Sequence, residues 1–405
     1  MPSVSGWRHQ LPVYSPLSAA ALLLGARAAA RGARRSSAQQ RLIALLRARY
    51  APTSALLTDS GTTALTAAII GILGDRPGFA VALPAFACYD LATAAVGANV
   101  PVLLYDIDPY TLAPDLASLR TALQHGAAAV VVVHLYGCPV DLGEVNRLAA
   151  QAGAVVIEDA AQAVGATVEH RPAGRQGSVA VLSFGRGKGL TGGSGGALLA
   201  NDETGARVLE RGRGLLGPPD GDWSEVAAIV AQWLLARASV YALPAGLPFL
   251  RLGETVYRDP RPLRAPTGTS CSVVAATWGL ADREIEVRRR NAERLLDELR
   301  RQPGFETIRT PRHSQPGYLR LPVLASPAVR RAACDTAARR LGVMPGYPKV
   351  LCDLETFAPR CINRDAAFRG SRLLAARLCT LPTHSRLGAR DLEELEEWIR
   401  TVCRR

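Results

Sequence analysis

Lysine is almost missing from this chain: of 405 residues only Lys188 and Lys349 are lysines, although Lys and Arg together number 48. Arginine occupies nearly every position where a positive charge is all that is needed, so a retained lysine points to something arginine cannot do. A lysine amine can lose its proton and condense with a carbonyl as an imine, whereas a guanidinium stays protonated and delocalised. Aromatic residues are scarce too, at 5%, too few for a base-stacking platform, and no nucleic-acid partner is expected. The eight cysteines form no Cys-x-x-Cys pair and the six histidines no His-x-x-x-His or Cys-His spacing. That disfavours a disulfide framework and leaves no metal site to expect. No charged n-region with an apolar core and cleavage site opens the chain, so reduced thiols in a cytoplasm are the expected setting.

Long apolar runs are also lacking. The nearest is Val226 to Leu243, which is interrupted by Gln232, Arg237 and Ser239 and runs into Pro244-Ala-Gly-Leu-Pro248. A bilayer helix needs about 20 mainly apolar residues without a central charge. A buried or interface helix is therefore expected here, with a peripheral membrane contact as the lesser alternative. What the chain does have is 48% hydrophobic residues, enough for a large core and a second unit, and a net charge of +13. That charge favours phosphate-bearing substrates or other anionic partners.

The first half alternates short apolar runs with helical stretches, the pattern of βαβ units around a mostly parallel sheet. Strands are expected at Ala80 to Leu83, Val102 to Tyr105, Ala129 to His134, Ala154 to Glu158, Val179 to Phe184 and Ala197 to Ala200, and helices at Thr62 to Leu73 and Leu142 to Ala152. The Pro- and Arg-rich stretch from Arg258 to Pro266 marks the passage between two units, a large domain over 1–262 with an insertion at about 220–257, and a smaller one over 263–405. In the second, a charged helix over Ala281 to Arg301, a strand over Tyr318 to Leu324, and helices over Val329 to Leu341 and Ala389 to Val402 suggest an α+β arrangement.

Three places in the large domain converge on one kind of ligand, a phosphorylated aromatic aldehyde held by a lysine. Asp59-Ser60-Gly61-Thr62-Thr63 opens an apolar helix, whose free N–H groups and positive end suit a phosphate, although Ser60 also serves as an ordinary N-cap. Val155-Val156-Ile157-Glu158-Asp159 ends a buried strand in a carboxylate that can pair with a protonated ring nitrogen, while Gln162 reaches the ring's flank; capping of the next helix by Asp159 is the plain alternative. Ser183 leaves a strand five residues before Lys188, inside the glycine-rich loop Gly185 to Gly196. In such a sheet, ligand groups gather beyond the strands' carboxyl ends.

With Lys188 placed 29 residues after Asp159, the arrangement resembles the fold-type I pyridoxal-phosphate enzymes and, more narrowly, the DegT/DnrJ/EryC1/StrS sugar aminotransferases. The likeness runs through Leu83-Pro-Ala-Phe-Ala87, Asp106-Ile-Asp-Pro109, Val133-His-Leu-Tyr-Gly137, Glu158-Asp-Ala-Ala-Gln162 and Ser183-Phe-x-x-x-Lys188 with Gly195-Gly196. It implies an α/β fold with a large domain of the seven-stranded type and a smaller C-terminal α+β domain. It also implies pyridoxal phosphate on Lys188, a homodimer with shared sites, and amino transfer from an amino acid, usually glutamate, to a nucleotide-linked keto sugar. By the same resemblance, Lys188 and Asp159 are catalytic, Gln162 positions the ring, and Gly61, Thr62, Thr63 and Ser183 hold the phosphate. The family's aromatic stacking residue, four positions after Pro84, is here Cys88, leaving Phe86 or Tyr89 to substitute. Thr267-Gly-Thr-Ser270 stands where the partner subunit usually offers Asn-x-Arg-Met, and Ser194 where a glutamate is common. Tyr347-Pro-Lys349 matches a loop that closes over the site.

Overall fold

The structure, a computed structural model of the chain, describes residues 8–31, 35–74, 78–245 and 255–404. After an extended segment, α1 (Ala19–Arg31) and α2 (Arg35–Tyr50) lead into β1 (Ser54–Thr58), α3 (Gly61–Leu73), β2 (Ala80–Pro84), α4 (Asp90–Gly97), β3 (Val102–Tyr105), α5 (Leu116–Gln124), β4 (Ala127–Val133), α6 (Gly143–Gln151) and β5 (Val155–Asp159). Two short strands, β6 (Thr167–Val168) and β7 (Arg171–Pro172), precede β8 (Val179–Ser183), β9 (Gly196–Ala200) and α7 (Glu203–Arg213). The strands β1-β9-β8-β5-β4-β2-β3 form a seven-stranded sheet in which only β9 runs against its neighbours. Along β8 the side chains alternate between faces: Val179 and Val181 join the core with α3, while Ala180 and Leu182 pack with Leu42 and Leu46 of α2. A sheet covered on both faces explains why its strands are nearly continuous apolar runs.

Beyond it come α8 (Asp222–Leu235), α9 (Ala238–Ala245) and the 32-residue α10 (Gly268–Leu299). The remaining elements are β10 (Phe305–Thr307), β11 (Ser314–Gln315), β12 (Leu321–Ala325), α11 (Pro327–Ala332), α12 (Thr336–Arg340), β13 (Met344–Pro345), α13 (Arg369–Arg377), β14 (Leu378–Leu381) and α14 (Ala389–Val402). The order β10-β12-β14-β13 makes a four-stranded sheet, cored with α10 and α14 through Leu295, Leu299, Leu395 and Ile399.

Three sequence expectations need correcting. α10 starts at Gly268 rather than near Ala281 because Thr267 caps it, accepting from the Ser270 N–H at 3.0 Å, and because Val273 and Val274 are fully buried. The helix expected over Val329 to Leu341 is two short ones, the second starting after Asp335. Of the two readings of the apolar segment from Val226, buried or interface helix, the first is overturned: Ile229 is the only buried residue within α8, and α9 buries none. Its far end, with part of the 220–257 insertion, lies outside the described residues.

Candidate active site

At the carboxyl ends of β4, β5 and β8, a narrow slot is walled by Gly61, Thr62, Asp159, Gln162, Ser183 and Lys188. Because β1, β5 and β8 run in the same direction, their carboxyl ends bring these residues together across 127 positions of sequence. At one end stands the N-terminus of α3. Ser60 Oγ accepts from Thr63 N–H at 3.0 Å and also donates to Thr63 Oγ1 at 3.0 Å, so Thr63 is spent in the helix cap and does not line the slot. The amides of Gly61 and Thr62, which precede the first intrahelical bonds, remain for an anion. Gly61 lies so close to Ser183 that a Cβ there would be 2.7 Å from Ser183 Cβ, which places amide and hydroxyl at one corner.

Asp159, 6% exposed, sits midway. Burial pushes its carboxyl above the usual range, while the Ala161 N–H at 3.0 Å and the charge of Lys188 act in the opposite sense. A buried carboxylate in that condition is short of a cationic partner. Behind it, His134 and Glu158 form a fully buried pair at 2.8 Å, and Glu158 also accepts the amides of Gly174, Gln176 and Gly177. Burial opposes the ionisation of Glu158, but His134 and these amides outweigh it and hold the carboxyl below its ordinary value. His134 Nδ1 accepts from Val140 N–H, so the ring has no atom free for the slot and acts as a brace.

Lys188 is half-buried in a loop kept in place by Ser15, whose Oγ donates to the Lys188 carbonyl at 2.7 Å. Neighbouring Gly187 has φ +75°, a left-handed conformation that glycine adopts without strain. Gln162 is tied at both ends, accepting from Tyr136 N–H at 2.8 Å and donating to Tyr347 OH at 2.9 Å, and Tyr347 stacks on Tyr136 with ring centres 5.6 Å apart.

Neither Phe86 nor Tyr89 reaches the slot. Phe86 is fully buried against Tyr347, and Tyr89 OH is held by the backbone of Lys349. Cys88 forms the wall there, beside Asp90, and burial followed by that carboxylate pushes its thiol up to about 12. Lys349 itself is exposed and lines neither the slot nor the chamber beside it.

That chamber, of about 550 Å³, shares Gln162 and Lys188 with the slot. Sequence reasoning missed two of its walls. One is the extended segment Leu11 to Ser15, anchored by Arg288 to the Tyr14 carbonyl, by His384 to the Leu11 carbonyl and by Arg320 to the Pro12 carbonyl. The other is the insertion: Gln232, Leu235 and Tyr241 of α8 and α9 face the chamber. α8 also clasps the lysine loop, where Ser194 Oγ donates to Glu225 Oε2 at 2.7 Å. A carboxylate thus stands beside Ser194, the position at which the family resemblance implied a glutamate. No spacing rule links positions 194 and 225; only the fold does. Thr267 to Ser270 start α10, and Ser270 Oγ donates to the Ser194 carbonyl at 2.8 Å.

A mostly parallel seven-stranded sheet, with an amine, a buried carboxylate and an anion-accepting helix end gathered at its carboxyl edge, has the architecture of fold-type I pyridoxal-phosphate enzymes. Residues 23–213 match the DegT/DnrJ/EryC1/StrS aminotransferase family. An L-glutamine:2-deoxy-scyllo-inosose aminotransferase of Streptomyces kanamyceticus is 32% identical over 64% of this chain and 54% of its own length. The GDP-perosamine synthase of Caulobacter vibrioides is 34% identical over 40% and 44%, so the chain spans about half the length of these relatives. A family member from Brucella abortus of known structure superposes with a TM-score of 0.75 over 95% of this chain and 96% of its own, at 20% identity. The family match takes in a little under half of the chain, and the solved family member shares the fold over nearly all of it; the family's aminotransferases depend on pyridoxal phosphate. The residues present fit that cofactor: the Gly61–Ser183 corner suits its phosphate, Asp159 its ring nitrogen and Lys188 its aldehyde.

Proposed function

We propose that the protein is a pyridoxal-phosphate-dependent aminotransferase that aminates a keto sugar carried on a nucleotide, with L-glutamate as donor. The observation behind this is one slot that offers an amine, a carboxylate lacking a cation, and an anion corner in series. Bound pyridoxal phosphate supplies an electron sink and a carbon that carries the amino group from donor to acceptor. Lys188 Nζ would hold the cofactor's aldehyde and, when free, would take up and return a proton at the donor carbon. Asp159 keeps a proton on the ring nitrogen, braced by the His134–Glu158 pair behind its strand. Gln162, fixed by Tyr136 and Tyr347, orients the ring. Gly61, Thr62 and Ser183 hold the phosphate.

Arg186 and Arg258 support an anionic acceptor, since both line the chamber and neither side chain has an ion pair among the described residues. Two unpaired guanidiniums are well matched to phosphate oxygens. A neutral cyclitol ketone is the second reading, favoured by the inosose aminotransferases among the relatives. A homodimer with shared sites, a cytoplasmic location, and a division into large and small domains near residue 262 complete the proposal. The test is to load the purified protein with pyridoxal phosphate, add L-glutamate or L-glutamine alone, and follow the cofactor's absorbance. Conversion to the amino form by one donor, reversed by a nucleotide keto sugar but not by an inosose, supports the first reading, and the opposite acceptor preference the second. Asp159→Asn with near-wild-type turnover would remove the role given to that carboxylate.

A further inference from the structure

The apolar segment for which composition suggested a buried or interface helix lies on the surface. On α8 the exposed apolar residues Trp223, Ala227, Val230 and Leu234 have a spacing that puts them on one face of the helix, away from the chamber. Trp223 is 62% and Leu234 45% exposed, Leu243 of α9 is 65% exposed, and Leu23 of α1 is 60% exposed. α1 and α8 pack together through Ala21, Ile229 and Val273 of α10, so their exposed apolar residues stand on adjoining helices. A patch of this kind on a protein of +13 charge marks a contact site.

Geometry and charge indicate the partner. Together α8 and α9 are apolar enough for a membrane span, but they are bent by 107°. The 14 residues of α8 reach about 21 Å, short of the roughly 30 Å hydrocarbon core. Such an elbow can lie in the interface but cannot cross it. Beside it, Arg27 and Arg31 of α1 and Arg41 of α2 line a cavity of about 720 Å³ that shares Leu24 with the apolar surface. None of the three has an ion pair among the described residues. The one acid lining the cavity, Asp222, accepts from Thr269 N–H at 2.8 Å. At the elbow Arg237 lies 4.4 Å from the centre of the Trp233 ring, an aromatic–cation pairing suited to the level of lipid headgroups. Pairing with a second copy would bring two such basic rims near each other, whereas an anionic surface neutralises them.

We propose that the α1–α8–α9 face docks this protein on an anionic lipid bilayer. Trp223, Val230, Leu234 and Leu243 enter the boundary between headgroups and acyl chains, and Arg27, Arg31, Arg41 and Arg237 hold lipid phosphates. The docking face and the chamber wall are then two sides of one helix. This surface does not depend on the reaction proposed above, and its test uses no turnover.

The full chain loaded with pyridoxal phosphate is sedimented with vesicles of phosphatidylcholine alone or mixed with phosphatidylglycerol. Binding to the mixed vesicles is expected, falling as sodium chloride is raised and resisting inorganic phosphate. Trp223→Glu with Leu234→Glu should reduce it at least tenfold, a magnitude set by moving two apolar side chains' worth of burial out of the lipid. Glutamine in place of Arg27, Arg31 and Arg41 should weaken it by about fivefold per residue. Since Trp223 and Leu234 already face solvent, their replacement leaves the fold intact, which circular dichroism checks, and the salt dependence needs no variant. Three results would overturn the proposal: no binding to the mixed vesicles, equal binding by the double glutamate variant, or a drop in oligomeric state of that variant without lipid, which would make the face an interface between copies. Saturable phosphate binding in the arginine cleft without vesicle binding would likewise overturn it.

Discussion

Gly61→Ala is the sharpest test of the phosphate corner, because the obstruction it creates is local. The new Cβ would lie 2.7 Å from Ser183 Cβ, 3.0 Å from its Oγ and 3.4 Å from its Cα, against a comfortable carbon–carbon contact of about 3.5–4.0 Å. Ser183 cannot swing away as a flexible chain end does, since it closes β8 and is paired with Gly196 of β9. The start of α3 and the end of β8 must therefore separate by roughly 1 Å, after which the helix amides and the Ser183 hydroxyl no longer reach the same oxygens. Losing one hydrogen bond to a charged group costs about 1.5–3 kcal/mol, which weakens pyridoxal phosphate binding about 10- to 150-fold. Alanine's better helix propensity, at most about 1 kcal/mol, acts on free and loaded protein alike and cancels from the affinity. The assay is titration of cofactor-free protein with pyridoxal phosphate and, in parallel, with pyridoxal, which lacks the phosphate. Only the first should weaken strongly. Unchanged affinity for pyridoxal phosphate, or an equal loss for both ligands, would refute the assignment of this corner.

Lys188→Arg keeps the charge but should abolish trapping of the cofactor on the protein by borohydride, read as the loss of the adduct on the peptide containing residue 188; an adduct that persists elsewhere would displace Lys188 from its role. Ser15→Ala removes the bond to the Lys188 carbonyl and should cost about 1 kcal/mol, seen as faster hydrogen exchange in the lysine loop. His384 gives a pH signature. Burial first, then Arg288 and Arg320, lower its pKa from 6.5 to about 3, although its bond to the Leu11 carbonyl acts the other way. The unfolded chain thus binds a proton that the folded one refuses between these values. Stability from this group is complete above about pH 6.5 and is lost as pH falls towards 3. His384→Gln should flatten the fall in urea midpoint between pH 7 and 5, and an unaltered slope would refute the cause.

Most of the large sheet could be read from the order of residues because its strands are buried on both faces and stand out as runs such as Val130 to Val133. β1 escaped notice for the converse reason. Its five residues Ser-Ala-Leu-Leu-Thr are only partly apolar, and it belongs to the sheet through pairing with β9, some 140 residues on. The start of α10 was hidden in the same way. Thr267 to Ser272 resemble a loop in composition, and the Thr267 cap together with packing of Cys271, Val273 and Val274 makes the stretch helical. Local pattern reports burial well and reports pairing with a distant partner hardly at all.

The site shows the same division on a finer scale. Residues whose chemistry is itself rare stood out in the sequence, and the slot brings them together: one of two lysines among many arginines, a carboxylate closing an apolar strand, a serine leaving another. Residues that matter through the shape around them were not. Motif position suggested an aromatic ring near Cys88, but Tyr89 is drawn off by the Lys349 backbone and Phe86 by Tyr347, so a thiol forms the wall. Glu225 shows the limit most plainly. Its burial pushes the carboxyl up, Ser194 acts against that, and the pair fastens α8 to the loop that bears Lys188. The insertion that looked like an addition to the family pattern therefore touches the loop bearing the proposed catalytic lysine with one side and solvent with an apolar other. If Glu225→Gln kept the lysine loop in place, it would loosen only the charge-assisted part of that clasp. Ser194→Ala removes the whole bond, and adding Glu225→Gln to it should cost little more, because both act on the same hydrogen bond. Additive losses of stability for the two would show that α8 is held by its packing at Ile229 instead.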